Sequence, residues 1–243
     1  TIDTSKGNVD VTFDDLKIDV SGRDEGNAAV RVEGGGDVTI ELDGDNELKS
    51  GGYNAGLEKN DHESSGKLTI KDDNDTKGSL TAEGGDRGGA GIGGGHESGA
   101  GNIEITGGTV EAVGGDGGGA GIGGGVYGTG HDIEISGGKV SATGGDADER
   151  LDASRSGAAG IGDGAGTEGR EIDPDAPPSN PDNPNHIIIS GDAEVEAKAG
   201  ASNGGGTAAI GGGDVGEIPN DALSDDDHKV TGGSLTRYDP DGK

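Results

Sequence analysis

Cysteine, methionine and tryptophan are absent from this 243-residue chain, and other aromatics are scarce: one Phe and three Tyr. Without Cys there are no disulfides and no thiolate metal sites, which suits an exported protein built without cross-links but also other compartments. Without Met the sequence reads as a processed chain or an excised region rather than a primary translation product. The shortage of rings excludes a conventional core of large side chains. No apolar run reaches the roughly 18 residues of a membrane-spanning helix, and no signal peptide is visible. Basic residues are also few. The 18 Lys and Arg stand against 48 Asp and Glu, a formal charge of −30. That balance disfavours nucleic acid and anionic membranes as partners and favours cations.

What is abundant is glycine, with 57 residues, and it is not scattered. The phrase GGAGIGGG occurs at 88–95 and again 30 residues later at 118–125. Aligning on its small-small-aliphatic core gives related phrases at Asn27, Asn54, Ala158 and Thr207. Between these lie two alternating patterns. One includes VTIEL from Val38, IEITG from Ile103 and IEISG from Ile133; the other includes TVEAVGGD from Thr109 and KVSATGGD from Lys139. Alternation of period two is the signature of a strand with one buried face, and the Gly clusters punctuate it as turns.

Three short strands recurring about every 30 residues predict an all-β, single-domain parallel β-helix over 1–243, with about six to seven coils. Loop insertions are expected near 146–157, 165–185 and 214–228, with the Pro-rich stretch 173–185 lacking regular structure. The inward positions predicted by the alternation include Ile40, Ile70, Ile105 and Ile135 in one strand type. Val110, Ala112, Val140 and Ala142 belong to the second, and Ala90, Ile92, Ala120 and Ile122 to the third. Gly91, Gly93, Gly121 and Gly123 then face outward as a bare contact face, where another backbone or a subunit approaches.

Several motifs invite chemistry. Gly89–Gly94 and Gly119–Gly124 match the dinucleotide fingerprint, but no helical periodicity follows either, so the match is discounted. Calcium is the cofactor considered, since carboxylates and turn carbonyls are its natural ligands. The candidate ligands are the repeated Asp86, Asp116 and Asp146 and the cluster Asp43, Asp45 and Glu47, with Asp72, Asp73, Asp75 and 225–227 as alternatives. The competing reading of these columns is a solvated acidic face. Five His occur without metal-ligand spacing, and no nucleophile motif is present, so no enzymatic activity is expected. Phe13, Tyr53, Tyr127 and Tyr238 lie on different coils, which argues against an aromatic platform for carbohydrate. Asn74-Asp75-Thr76 matches the N-glycosylation sequon, a pattern that chance often supplies.

The phrases GGAGIGGG, GNIEITGGTVEAVGGD and HDIEISGGKVSATGGD resemble the glycine-rich parallel β-helix repeats of bacterial surface proteins, some of them labelled carbohydrate-binding or adhesin-like. The resemblance is close over 78–145 and looser elsewhere. It implies a right-handed β-helix in an extracellular protein of adhesive, sugar-binding or scaffold use. The leading functional expectation is a non-enzymatic structural or adhesive protein that self-associates into a surface layer or filament. The alternative is a calcium-assisted polysaccharide-binding module. The extreme acidity of this chain departs from the usual examples.

Overall fold

The computed structural model describes residues 1–22, 26–147, 156–166, 186–203, 207–212, 216–217 and 228–243. The expected loop insertions, the stretch 173–185 and the acidic run 225–227 lie largely or wholly outside these residues. The described chain is all-β, in 21 strands without a helix. Accordingly, the described residues contain no helix long and apolar enough to cross a membrane.

The strands come in passes. The first is β1 (Ile2–Asp3), β2 (Val9–Asp14) and β3 (Lys17–Asp19); the second is β4 (Val30–Glu33) and the long β5 (Val38–Lys49). The third is β6 (Leu57–Glu58), β7 (Leu68–Lys71) and β8 (Gly78–Glu83), and the fourth β9 (Ile92–Gly93), β10 (Ala100–Ile105) and β11 (Thr109–Val113). The fifth is β12 (Ile122–Gly123), β13 (Gly130–Ile135) and β14 (Lys139–Thr143), and the sixth β15 (Ile161–Gly162), β16 (Ile187–Ile189) and β17 (Glu194–Lys198). Last come β18 (Ile210–Gly212), β19 (Gly216–Glu217), β20 (His228–Val230) and β21 (Ser234–Tyr238).

Each strand pairs in parallel with its counterpart in the adjacent passes, producing three ladders. The first ladder, β1-β4-β6-β9-β12-β15-β18, ends in the antiparallel partner β19. The second contains β2, β7, β10, β13, β16 and β20, and the third β3, β8, β11, β14, β17 and β21. β5 runs through both, pairing with β2 and β7 by its first half and with β3 and β8 by its second. Gly44, at φ +63°, bends it between the halves, and a Cβ there would strike the Asp15 carboxylate.

In-register pairing turns the alternation of each strand into columns. Val38, Leu68, Ile103, Ile133 and Ile187 form one, and Ile40, Ile70, Ile105, Ile135 and Ile189 the next. Leu57, Ile92, Ile122, Ile161 and Ile210 line up on the first ladder, and Ala82, Ala112, Ala142 and Ala197 on the third. These residues are buried, as the alternation predicts. Burial of each large aliphatic contributes about 1.5–3 kcal/mol. The terminal passes are less covered: Val11, Leu16, Ile18 and Leu235 are only partly buried.

One column contains a polar exception. Asn46 stands opposite Leu80, an inward position that Val110 and Val140 occupy in later passes, yet it is 3% exposed. Its amide donates to the carbonyls of Asp43 and Ser79 at 3.1 and 2.9 Å, and its oxygen accepts from Leu16 N–H at 2.8 Å. The buried polar group is therefore satisfied by the bent backbone around it.

Ile122 lies between Ile92 and Ile161 with no exposure. Replacing Ile122 by Asp places an unpaired carboxylate in this column and should cost about 3–5 kcal/mol. A thermal melt followed by circular dichroism checks this; an unchanged melting temperature would show that position 122 does not face the core.

Candidate functional site

The glycine phrase does not form a bare outer face. Gly91, Gly93, Gly121 and Gly123 are all buried, which corrects the outward placement expected from alternation. A Cβ on Gly91 would lie 2.5 Å from Val113 N, and one on Gly121 would lie 2.6 Å from both Thr143 N and Gly160 O. The first ladder thus rests directly on the backbone of the third, as well as on its own next pass. Gly93 and Gly123 have φ +135° and +134°, and a Cβ on either would strike the carbonyl of the equivalent glycine in the next pass, Gly123 or Gly162. These glycines serve close contact between backbones within the chain.

Asp86, Asp116 and Asp146 are exposed, and the Asp146 carboxylate accepts from Ala201 N–H at 2.7 Å. Asp43 accepts from the Asn74 amide at 2.6 Å, Asp45 from the Ser79 hydroxyl at 2.9 Å, and Glu47 pairs with Lys49 at 3.0 Å. Among the described residues, no group of three or more His, Asp or Glu converges in a way that could hold a metal ion.

Charge is instead drawn inward near β6. Glu58, 1% exposed, accepts from Ala55 N–H and the Asn60 amide and pairs with Arg31 at 2.7 Å. Burial pushes its carboxyl up from the usual range, while Arg31 pulls it back. Lys59 is fully buried and donates to the carbonyls of Gly101 and Ser64 at 2.8 and 3.1 Å; burial pushes its ammonium down.

Beside it, His131 bridges carboxylates across passes. Nε2 lies 2.9 Å from Asp61 Oδ2 and Nδ1 lies 3.0 Å from Asp132 Oδ2, while the other oxygen of Asp132 meets His186 Nδ1 at 3.1 Å. The reach to Asp61, 70 residues away, crosses Gly101, whose missing side chain leaves room for the imidazole. The hydrogen bond to Asp61, with attraction to both carboxylates, outweighs partial burial and raises the His131 pKa to about 9.

The arrangement best suited to recognition is aromatic. Tyr53, His96 and Tyr127 come from successive passes, with ring centres 5.1 and 5.8 Å apart and edge-to-face planes at 86° and 74°. Backbone bonds fix the spacing: His96 N–H donates to Tyr53 O, and Glu97 N–H to Val126 O. Arg87 donates to the Tyr53 hydroxyl at 2.7 Å, its guanidinium carbon 5.0 Å from the ring centre. Glu97 lies 3.9 Å from His96 Nδ1. Tyr53 is 41% exposed and opens the strip to solvent. Sequence reasoning passed over this strip because its members are 43 and 31 residues apart and are not equivalent positions of the repeat. Aligning the two GGAGIGGG phrases supplies the missing signal, since it sets His96 and Glu97 against Val126 and Tyr127. Phe13, by contrast, is buried in the core.

No protein-family model, curated protein or solved structure matches the chain.

Two outcomes test this geometry. Gly121→Ala should destabilise the fold by about 1–3 kcal/mol through overpacking, read from denaturant midpoints; a neutral result would reopen the contact-face reading. Because the folded pKa of His131 lies above its ordinary 6.5, its contribution is complete below that pH and is lost as pH rises through about 9. The melting temperature of the native chain should fall over that interval relative to His131→Gln. Parallel pH profiles for the two chains would refute the bridge.

Proposed function

We propose that this chain is a right-handed parallel β-solenoid acting extracellularly as a non-enzymatic adhesive rod, which binds an extended neutral polysaccharide along the Tyr53–His96–Tyr127 strip. The observation that carries the reading is the alignment of three rings on successive passes, bordered by Arg87 and Glu97. Aromatic side chains offer an apolar body to the C–H face of a sugar ring, while the flanking polar groups meet its hydroxyls. Neutrality follows from the formal charge of −30, which opposes acidic glycans. The parallel ladders, visited in one order, support the solenoid as the frame. The strip requires no calcium.

Self-association belongs to the same proposal through sheet edges, not through the glycine face. β2, β3, β20 and β21 each have a strand neighbour on one side only among the described residues. Such an edge accepts the next coil of a longer chain or a second copy.

Affinity electrophoresis through gels containing neutral glucans, xylans, mannans or galactans tests the binding reading. At least one polymer should retard the native chain, and Tyr53→Ala and Tyr127→Ala should each weaken that interaction about tenfold, roughly 1.4 kcal/mol. Retardation by none of them, or equal retardation of all three chains, would remove the strip from the account.

A further inference from the structure

The corners between second-ladder and third-ladder strands are short. Residues 106–108 join β10 to β11, 136–138 join β13 to β14, and 231–233 join β20 to β21. The corner between β7 and β8 is the widest among the described residues, occupying 72–77, and residues 73–77 are exposed. It contains Asn74-Asp75-Thr76, the single Asn-X-Ser/Thr sequence of the chain.

We propose that Asn74 is the acceptor of an N-linked glycan, displayed on this widened corner outside the stacked strands. The corner is held in a defined shape. Glu41 Oε1 accepts from the N–H groups of Asp73 and Asn74 at 3.0 and 3.3 Å, and Asn74 Oδ1 accepts from Thr76 N–H at 2.6 Å. That last bond turns Thr76 back toward the acceptor. Asn74 Nδ2 donates one hydrogen to Asp43 Oδ1 at 2.6 Å. An amide has two such hydrogens, and the reaction consumes one.

The donor is a lipid-pyrophosphate-linked oligosaccharide. The Nδ2–C1 bond forms as the C1–O bond to pyrophosphate breaks. The lipid pyrophosphate leaves with the bonding pair, and Nδ2 gives one proton to a base of the transferase. The remaining N–H can keep its bond to Asp43. A glycan here projects from a corner and leaves every ladder bond in place, so it adds a hydrated group without a packing cost.

The assignment rests on the extracellular part of the proposed function, because such donors are met on the export route. The full chain, secreted from a eukaryotic cell behind an added leader, is digested with trypsin and weighed before and after treatment with peptide:N-glycosidase F. The peptide containing Asn74 should carry a glycan that the enzyme removes, converting Asn74 to Asp. Asn74→Gln and Thr76→Ala should reduce occupancy to none with the melting temperature unchanged, and Thr76→Ser should retain modification. An unmodified Asn74 in folded secreted protein, or a glycan that survives Thr76→Ala, would overturn the assignment. Because the leader forces export, such a failure leaves the extracellular reading standing, and polysaccharide binding is measured separately.

Discussion

The close approach of two backbones governs this structure. The strands of the first ladder lie against the ends of the third-ladder strands, with Gly56, Gly91, Gly121 and Gly160 facing the backbone of Glu83, Val113, Thr143 and Lys198. A single methyl group at any of these sites meets backbone nitrogen or oxygen at 2.5–2.8 Å, well inside ordinary contact. Glycine is required at these sites by space. The small Ala column and a core built with one Phe follow from the same contact.

Among the described residues only the Ser64 hydroxyl is buried without a hydrogen-bond partner, and the other polar groups inside are matched individually. Asn46 satisfies a bend in β5, Lys59 binds two carbonyls, and Glu58 is held by Arg31, Asn60 and a backbone N–H. All three lie in the second and third passes, where Arg31 and Glu58 occupy the register taken later by Gly93, Gly123, Gly162 and Gly211. The repeat therefore begins with a charged, hydrogen-bonded variant and settles into a glycine form. A charge costs less where carbonyls and amides are already turned toward it.

The turns and corners carry the side chains that vary most in kind. Tyr53, His96 and Tyr127 occupy turns beside the first ladder, and Asn74 occupies a widened corner of the third pass. Glu97 and Tyr127 share a left-handed backbone conformation, both at φ +62°, and Asn102 and Asp132 share another, at +54° and +50°. Conformations uncommon for such residues recur one repeat apart because the ladder imposes the same path on each pass. The scaffold thus sets the spacing of whatever its turns display.

Composition and period by themselves determined an all-β chain, the repeat near 30 residues and the inward aliphatics, because alternation directly encodes which side of a strand is buried. Alternation could not reveal that Gly91 and Gly121 are buried on their other side too, since a residue without a side chain carries no facing signal. The pattern also could not place Asn46 inside. Only tertiary structure set Tyr53 beside His96, brought His131 to Asp61 across Gly101, and separated Asp43 and Asp45 onto different partners. Those relations depend on the width of each corner and the register between passes. Both are fixed by backbone geometry summed over some tens of residues, and no local window of the sequence contains them.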